Sequence, residues 1–166
     1  SSAQKIVIAF LATGDVGKAI VGTVSGTSIS YGTAVTYDTV ASDHNAIAYD
    51  PTAESVAIFY RDTTPFHGKA VSGKVSGTSI TFTDQITFQS GRAERMAAVY
   101  DPDSEKVIVA YHDYAASTGD AVVFTTGFIS TTRGQIADGG KAVIDSTNTI
   151  SRNQLGLTAG QTYFVQ

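Results

Sequence analysis

The chain has 166 residues, with 11 Lys and Arg against 15 Asp and Glu for a formal charge of −4, and charged residues make up only 16% of it. That is one modest domain or two small ones, weakly acidic and without the clustered basic residues that draw nucleic acid or an anionic bilayer. No apolar run approaches the roughly 18–20 residues that span lipid, and the absence of Cys excludes disulfides, thiolate chemistry and Cys-ligated zinc. The expectation is therefore no nucleic acid and no membrane insertion.

Leu occurs only at Leu11, Leu155 and Leu157, whereas Val, Ile, Thr, Tyr and Phe abound. Branched and aromatic side chains fit a pleated surface better than a helix, so the chain is expected to be all-β and antiparallel with almost no helix. In chain order, Lys5–Phe10 is short and apolar on both alternating faces, as in a strand covered on both sides. Gly14-Asp15-Val16-Gly17-Lys18 has the look of a phosphate loop, but its spacing is short and no Ser or Thr follows the Lys. It reads as a loop opening a strand at Gly17-Lys18-Ala19. Val24-Ser25-Gly26-Thr27-Ser28-Ile29 reads as a tight hairpin with Gly26 supplying positive φ. A short strand, Ala46–Tyr49, ends at the turn Asp50-Pro51, where Pro cannot donate a ladder hydrogen bond. Strands follow near 55–60, 69–75 and 78–82, with the variable loop Arg61–His67 after the first and Ser76-Gly77-Thr78 between the last two.

This order repeats. Gly17-Lys18-Ala19 returns as Gly68-Lys69-Ala70 and, altered, as Gly119-Asp120-Ala121, at intervals of 51 residues. The hairpin recurs unchanged as Val75-Ser76-Gly77-Thr78-Ser79-Ile80, and Tyr49-Asp50-Pro51 becomes Tyr100-Asp101-Pro102, again 51 apart. Ile6–Phe10 corresponds to Val56–Tyr60 and Val107–Tyr111. A four-stranded antiparallel unit of about 50 residues has the size of a β-propeller blade; a layered β-sandwich or β-fibre of the same unit is the alternative. In the third copy the hairpin is replaced by Thr125-Thr126-Gly127-Phe128-Ile129-Ser130. The predicted division is tandem β-repeats over 1–126, about two and a half copies, and a small C-terminal β module over 127–166.

The Tyr-Asp-Pro turn, the Val-Ile-Val-Ala-Tyr strand, the Gly-Lys-Ala start and the Val-Ser-Gly-Thr-Ser-Ile hairpin resemble a repeat of long virion-associated proteins of tailed bacteriophages, particularly marine and cyanobacterial ones. Gly156-Leu157-Thr158-Ala159-Gly160-Gln161-Thr162-Tyr163-Phe164-Val165 resembles a module near the ends of phage tail-fibre and other appendage proteins. The resemblance implies a non-enzymatic structural protein of a virion appendage, located on the virion or extracellular. It would serve assembly and host adsorption, contacting other virion proteins and a host-surface glycan. Closed propellers typically use about 4 to 8 blades, more than are present, so the expectation is that copies of the chain associate or that upstream repeats belong to a longer parent. A homotrimer is favoured and a filament or lattice is the alternative.

Candidate ligand-binding residues lie after the repeated strand. Asp62 and Asp113 follow Tyr60-Arg61 and Tyr111-His112, with Phe66 in the adjoining loop. As a repeated polar pocket, Asp and Arg would hydrogen-bond sugar hydroxyls while Tyr or Phe66 offers a stacking face, making a lectin-like propeller module the alternative function. Alternatively, each Asp bonds its own turn backbone. Gly26, Gly77, Asp50, Pro51, Asp101 and Pro102 are read as turn residues. His44, His67 and His112 have no metal-ligand spacing. No nucleophile–base pattern appears, and neither catalysis, cofactor nor metal is expected.

Overall fold

The computed structural model describes residues 4–126, 143–144 and 150–151. Among the described residues twelve strands run in chain order: β1 Gln4–Leu11, β2 Val16–Ser25, β3 Ser28–Tyr31, β4 Val35–Asp50, β5 Ser55–Asp62, β6 His67–Ser76, β7 Ser79–Phe82, β8 Ile86–Asp101, β9 Lys106–Asp113, β10 Thr118–Phe124, β11 Val143–Ile144 and β12 Ile150–Ser151. No helix occurs among the described residues, in keeping with the scarcity of Leu and the wealth of branched residues.

Contacts divide the chain into Ser1–Ile129 and Ser130–Gln166. In the second unit β11 pairs antiparallel with β12, Val143 opposite Ser151 and Ile144 opposite Ile150. The rest of the expected module over 127–166, and the altered hairpin from Gly127 on, lie outside the described residues.

The first unit is an open antiparallel sheet whose hydrogen-bonded order is β1-β2-β4-β5-β6-β8-β9-β10, with β3 beside β2 and β7 beside β6. Its pairing recurs at 51 residues. Val16 faces Ala41, Gly17 faces Asp38, Lys18 faces Thr36 and Ala19 faces Val35 across β2 and β4. Across β6 and β8, His67 faces Arg92, Gly68 faces Gln89, Lys69 faces Thr87 and Ala70 faces Ile86. The interruptions recur too, between Val16 and Lys18 and between His67 and Lys69. So do the positive φ angles outside glycine: Asp15, Phe66 and Ser117 at 58°, 76° and 56°, His44 and Arg95 at 52° and 53°, Glu54 and Glu105 at 50° and 54°.

β4 and β8 depart from the sequence reading, in which only the short terminal piece Ala46–Tyr49 was a strand. Each is 16 residues long and serves two partners. The first half of β4 pairs with β2 and the second half, from Ser42, with β5; the first half of β8 pairs with β6 and the second, from Ala93, with β9. A bulge between Asp43 and Ala46, and its counterpart between Glu94 and Ala97, marks the change. Bulges bend a strand, which lets one strand leave one partner and join the next.

All eight residues of β5 are buried. The strand's period of two sends Ala57 and Phe59 into a core with Ala70, Phe88, Val107, Val109 and Phe124. The opposite face sends Ile58 and Tyr60 against Ala19, Tyr37 and Val71, and Val56 against Val21 and Ile80. Phe59 meets Phe88 and Phe124 edge-on at 5.9 and 5.2 Å, a favoured geometry for rings with negative faces and positive edges.

Candidate functional site

Chain reversals and bulges gather several side chains near the C-terminal end of β5. Arg61 lies opposite Asp43 in the β4–β5 register. Its Nε donates to Asp43 Oδ1 at 2.7 Å and its Nη2 pairs with Oδ2, a two-pronged contact that matches the planar guanidinium to the carboxylate. The third nitrogen, Nη1, reaches Glu94 Oε1 of β8 at 2.5 Å. Arg92 also donates to that oxygen, Nε at 2.6 Å and Nη2 at 2.6 Å. The hydrogen bond from Arg92, with the charges of Arg92 and Arg61, holds the Glu94 carboxyl below its ordinary value, and the Asp43 contact raises Arg61 further. Two cations and two anions thus balance.

Aromatic rings close over this network. Arg61 and Arg92 lie 5.2 and 5.4 Å from the Phe66 ring centre, and Arg92 lies 4.3 Å from that of Tyr114. His112 meets Tyr114 edge-on at 6.1 Å. Phe66 and Tyr114 remain exposed, at 41% and 53%.

The sequence-derived candidates separate into three groups. Arg61, Phe66 and His112 belong to this cluster. Tyr60 and Tyr111 point the other way along the pleat and are buried in two different core clusters, so neither ring is presented at the surface. Asp62 accepts the Thr64 N–H at 2.7 Å, and Asp113 accepts those of Ala115 and Ala116 while its second oxygen takes the Gln89 amide. Both therefore engage turn backbone. Asp50 does the same for Thr52 and Ala53, and Asp101 for Asp103 and the Ser104 hydroxyl, with Pro51 and Pro102 in the turns that follow. Gly26 and Gly77 carry φ of 59° and 60°.

Asp43, Arg92, Glu94 and Tyr114 escaped the sequence reading. One signal was present: the acid Asp43 has the acid Glu94 51 residues later, whereas Ala41 and Thr63 give way to Arg92 and Tyr114. A separate cavity of about 420 Å³ is lined by residues that include Ser55, Ser72, Lys74, Phe82 and Thr126, and shares none with this cluster. Among the described residues no group of three or more His, Asp or Glu is placed to hold a metal ion.

Comparison with protein-family models, with curated proteins and with solved structures found no match in any of the three.

Proposed function

We propose that this chain is a non-enzymatic structural module of a bacteriophage virion appendage, of tail-fibre type, built from four-stranded units stacked in series like propeller blades. The observation that carries the reading is the shared strand: β4 and β8 each finish one set of pairings and begin the next in a register that recurs at 51 residues. A strand buried on both faces, as β5 is, suits a unit held between two neighbours. The phage resemblance of the repeated strings supplies the setting, and with it a role in assembly and adsorption outside the cell. The acids beside the candidate site are engaged by arginine or by turn backbone, which fits a structural role better than acid–base chemistry.

In this reading copies of the chain associate, as a trimer or as a filament. β1 corresponds to β5 in sequence, yet Ile8 and Leu11 are 39% and 40% exposed while every residue of β5 is buried. A sheet edge with exposed apolar side chains favours pairing with another strand. Imaging of tailed-phage particles with an antibody raised against the chain tests the setting. Label along a tail appendage is expected; label on no part of the particle would contradict it.

A further inference from the structure

An amide in the second repeat stands where the first carries an acid. Asp38 of β4 and Gln89 of β8 are equivalent, lying opposite Gly17 and Gly68. Asp62 and Asp113 are equivalent too, lying opposite Ser42 and Ala93. Their turn bonds match. Asp38 Oδ1 accepts the Val40 N–H at 3.0 Å as Gln89 Oε1 accepts that of Gly91 at 3.3 Å, and Asp62 Oδ1 accepts the Thr64 N–H as Asp113 Oδ1 accepts that of Ala115. The amide nitrogen of Gln89 then donates to Asp113 Oδ2. In the first repeat the same frame exchanges that donor for a second carboxylate, and the charges of Asp38 and Asp62 both act on the Tyr60 hydroxyl.

Asp38 and Asp62 are 3% and 7% exposed, and neither forms an ion pair among the described residues; Asp38 takes only the neutral Gln85 amide besides its turn bond. Buried charges are paired or coordinate a metal. Neutral oxygens gather at the same place. Ser42 Oγ, Asn45 Oδ1 and the Tyr37 and Tyr60 hydroxyls are buried with no hydrogen-bond partner among the described residues. Ser42 and Asn45 lie close enough to act on the Tyr37 hydroxyl, and Tyr37 packs on Tyr60. In the second repeat, where Gln89 takes the place of Asp38, Ala93, Met96 and Phe88 take those of Ser42, Asn45 and Tyr37. The unpaired acid and the neutral oxygens are thus lost together. We propose that Asp38, Asp62, Ser42 and Asn45 bind a hard divalent cation of the calcium type, with the Tyr60 hydroxyl beside it. Calcium takes about 6–8 oxygens, carboxylates and neutral donors together, so two acids suffice, and a site without thiol or imidazole excludes softer metals. The expectation of no metal rested on histidine spacing, which does not bear on oxygen donors. This inference does not rest on the virion setting.

The test is calorimetric titration of the full chain, stripped of metal with EDTA, using calcium chloride and magnesium chloride, with sodium chloride at matched ionic strength as the control. Saturable binding of one calcium or magnesium ion per chain is expected, with a rise in melting temperature that EDTA reverses and sodium does not reproduce. Asp38→Gln and Ser42→Ala install the residues of the second repeat. The first is expected to abolish binding and the second to weaken it about tenfold or more, with unchanged circular dichroism. Asp62→Asn lies on a different strand and gives the same reading if Asp38→Gln does not fold. Binding of neither ion, stabilisation equalled by sodium, or wild-type affinity in a folded Asp38→Gln or Asp62→Asn variant would each overturn the proposal. A melting temperature indifferent to EDTA, with a gain in stability in Asp38→Gln, would overturn it as well and assign the four neutral oxygens to internal water.

Discussion

Tyr37 and Tyr60 pack with ring centres 5.2 Å apart and planes tilted by 52°, and 51 residues further on Phe88 and Tyr111 form the corresponding pair at 5.3 Å. The first pair carries a hydroxyl that the second omits, at Tyr37 against Phe88. Burial, with a contribution from Asp38, pushes the Tyr37 hydroxyl from 10.0 up to about 12. Burial also raises Tyr60, reinforced by Asp38, Tyr37 and Asp62.

The unfolded chain ionises these tyrosines near 10.0 and the folded chain only at higher pH. Stability from keeping them neutral is therefore complete below that pH and is lost as pH rises through the folded values. Tyr37→Phe, which copies Phe88, is expected to cost less than about 1 kcal/mol at neutral pH and to soften the alkaline loss. Urea unfolding between neutral and strongly alkaline pH checks both; an unaltered alkaline profile in the variant would contradict the assignment.

Glu94→Gln is expected to destabilise by about 1–3 kcal/mol at neutral pH, less than for a fully isolated buried pair because Arg61 keeps its contact with Asp43. The wild-type carboxyl titrates below its ordinary 4.5 in the folded chain. Its contribution is present above that value and disappears as pH falls through the lowered folded one. Wild type and variant should therefore converge in stability under acid, which denaturant melts across the acid range will show. A constant difference at all pH values would place the effect in packing rather than charge.

The glycines separate steric from conformational demands. A Cβ on Gly32 would lie 2.0 Å from the Thr78 carbonyl oxygen, whereas one on Gly91 would meet nothing closer than 3.8 Å. Gly32→Ala is expected to cost more than about 2 kcal/mol and Gly91→Ala less than about 0.5 kcal/mol. Gly26 and Gly77 have open space around them but positive φ, so Val at either should cost about 1–2 kcal/mol through backbone strain. Thermal melts rank all four; equal effects at Gly32 and Gly91 would refute the close approach.

The all-β character was legible because Val, Ile and Thr crowd short apolar runs, and the 51-residue interval because Val24–Ile29 and Val75–Ile80 are identical strings. The length of β4 and β8 was not. Asp38, Asp43, His44 and Asn45 break the alternation there, and the bulge after Asp43 resets which side chains face inward. A period of two cannot be followed through such a reset. The Arg61 network was hidden for a different reason. Its acids lie 18 residues before it and 33 after it, on two separate strands, and only the pairing of β4 with β5 and the packing of β8 against both bring them together. Arg61 itself was visible beside Asp62, yet the neighbour in sequence turned to its own loop and the partners came from elsewhere.

Two successive parts of the chain use one pairing register and share the strand between them. Cross-strand nuclear Overhauser effects between backbone protons measure this directly. Contacts are expected for Ala19 with Val35 and Tyr49 with Val56, placing the two halves of β4 on different partners. Their counterparts are expected as well, Ala70 with Ile86 and Tyr100 with Val107. Contacts that keep β4 or β8 on a single partner throughout, or a register in the second set that differs from the first, would contradict it.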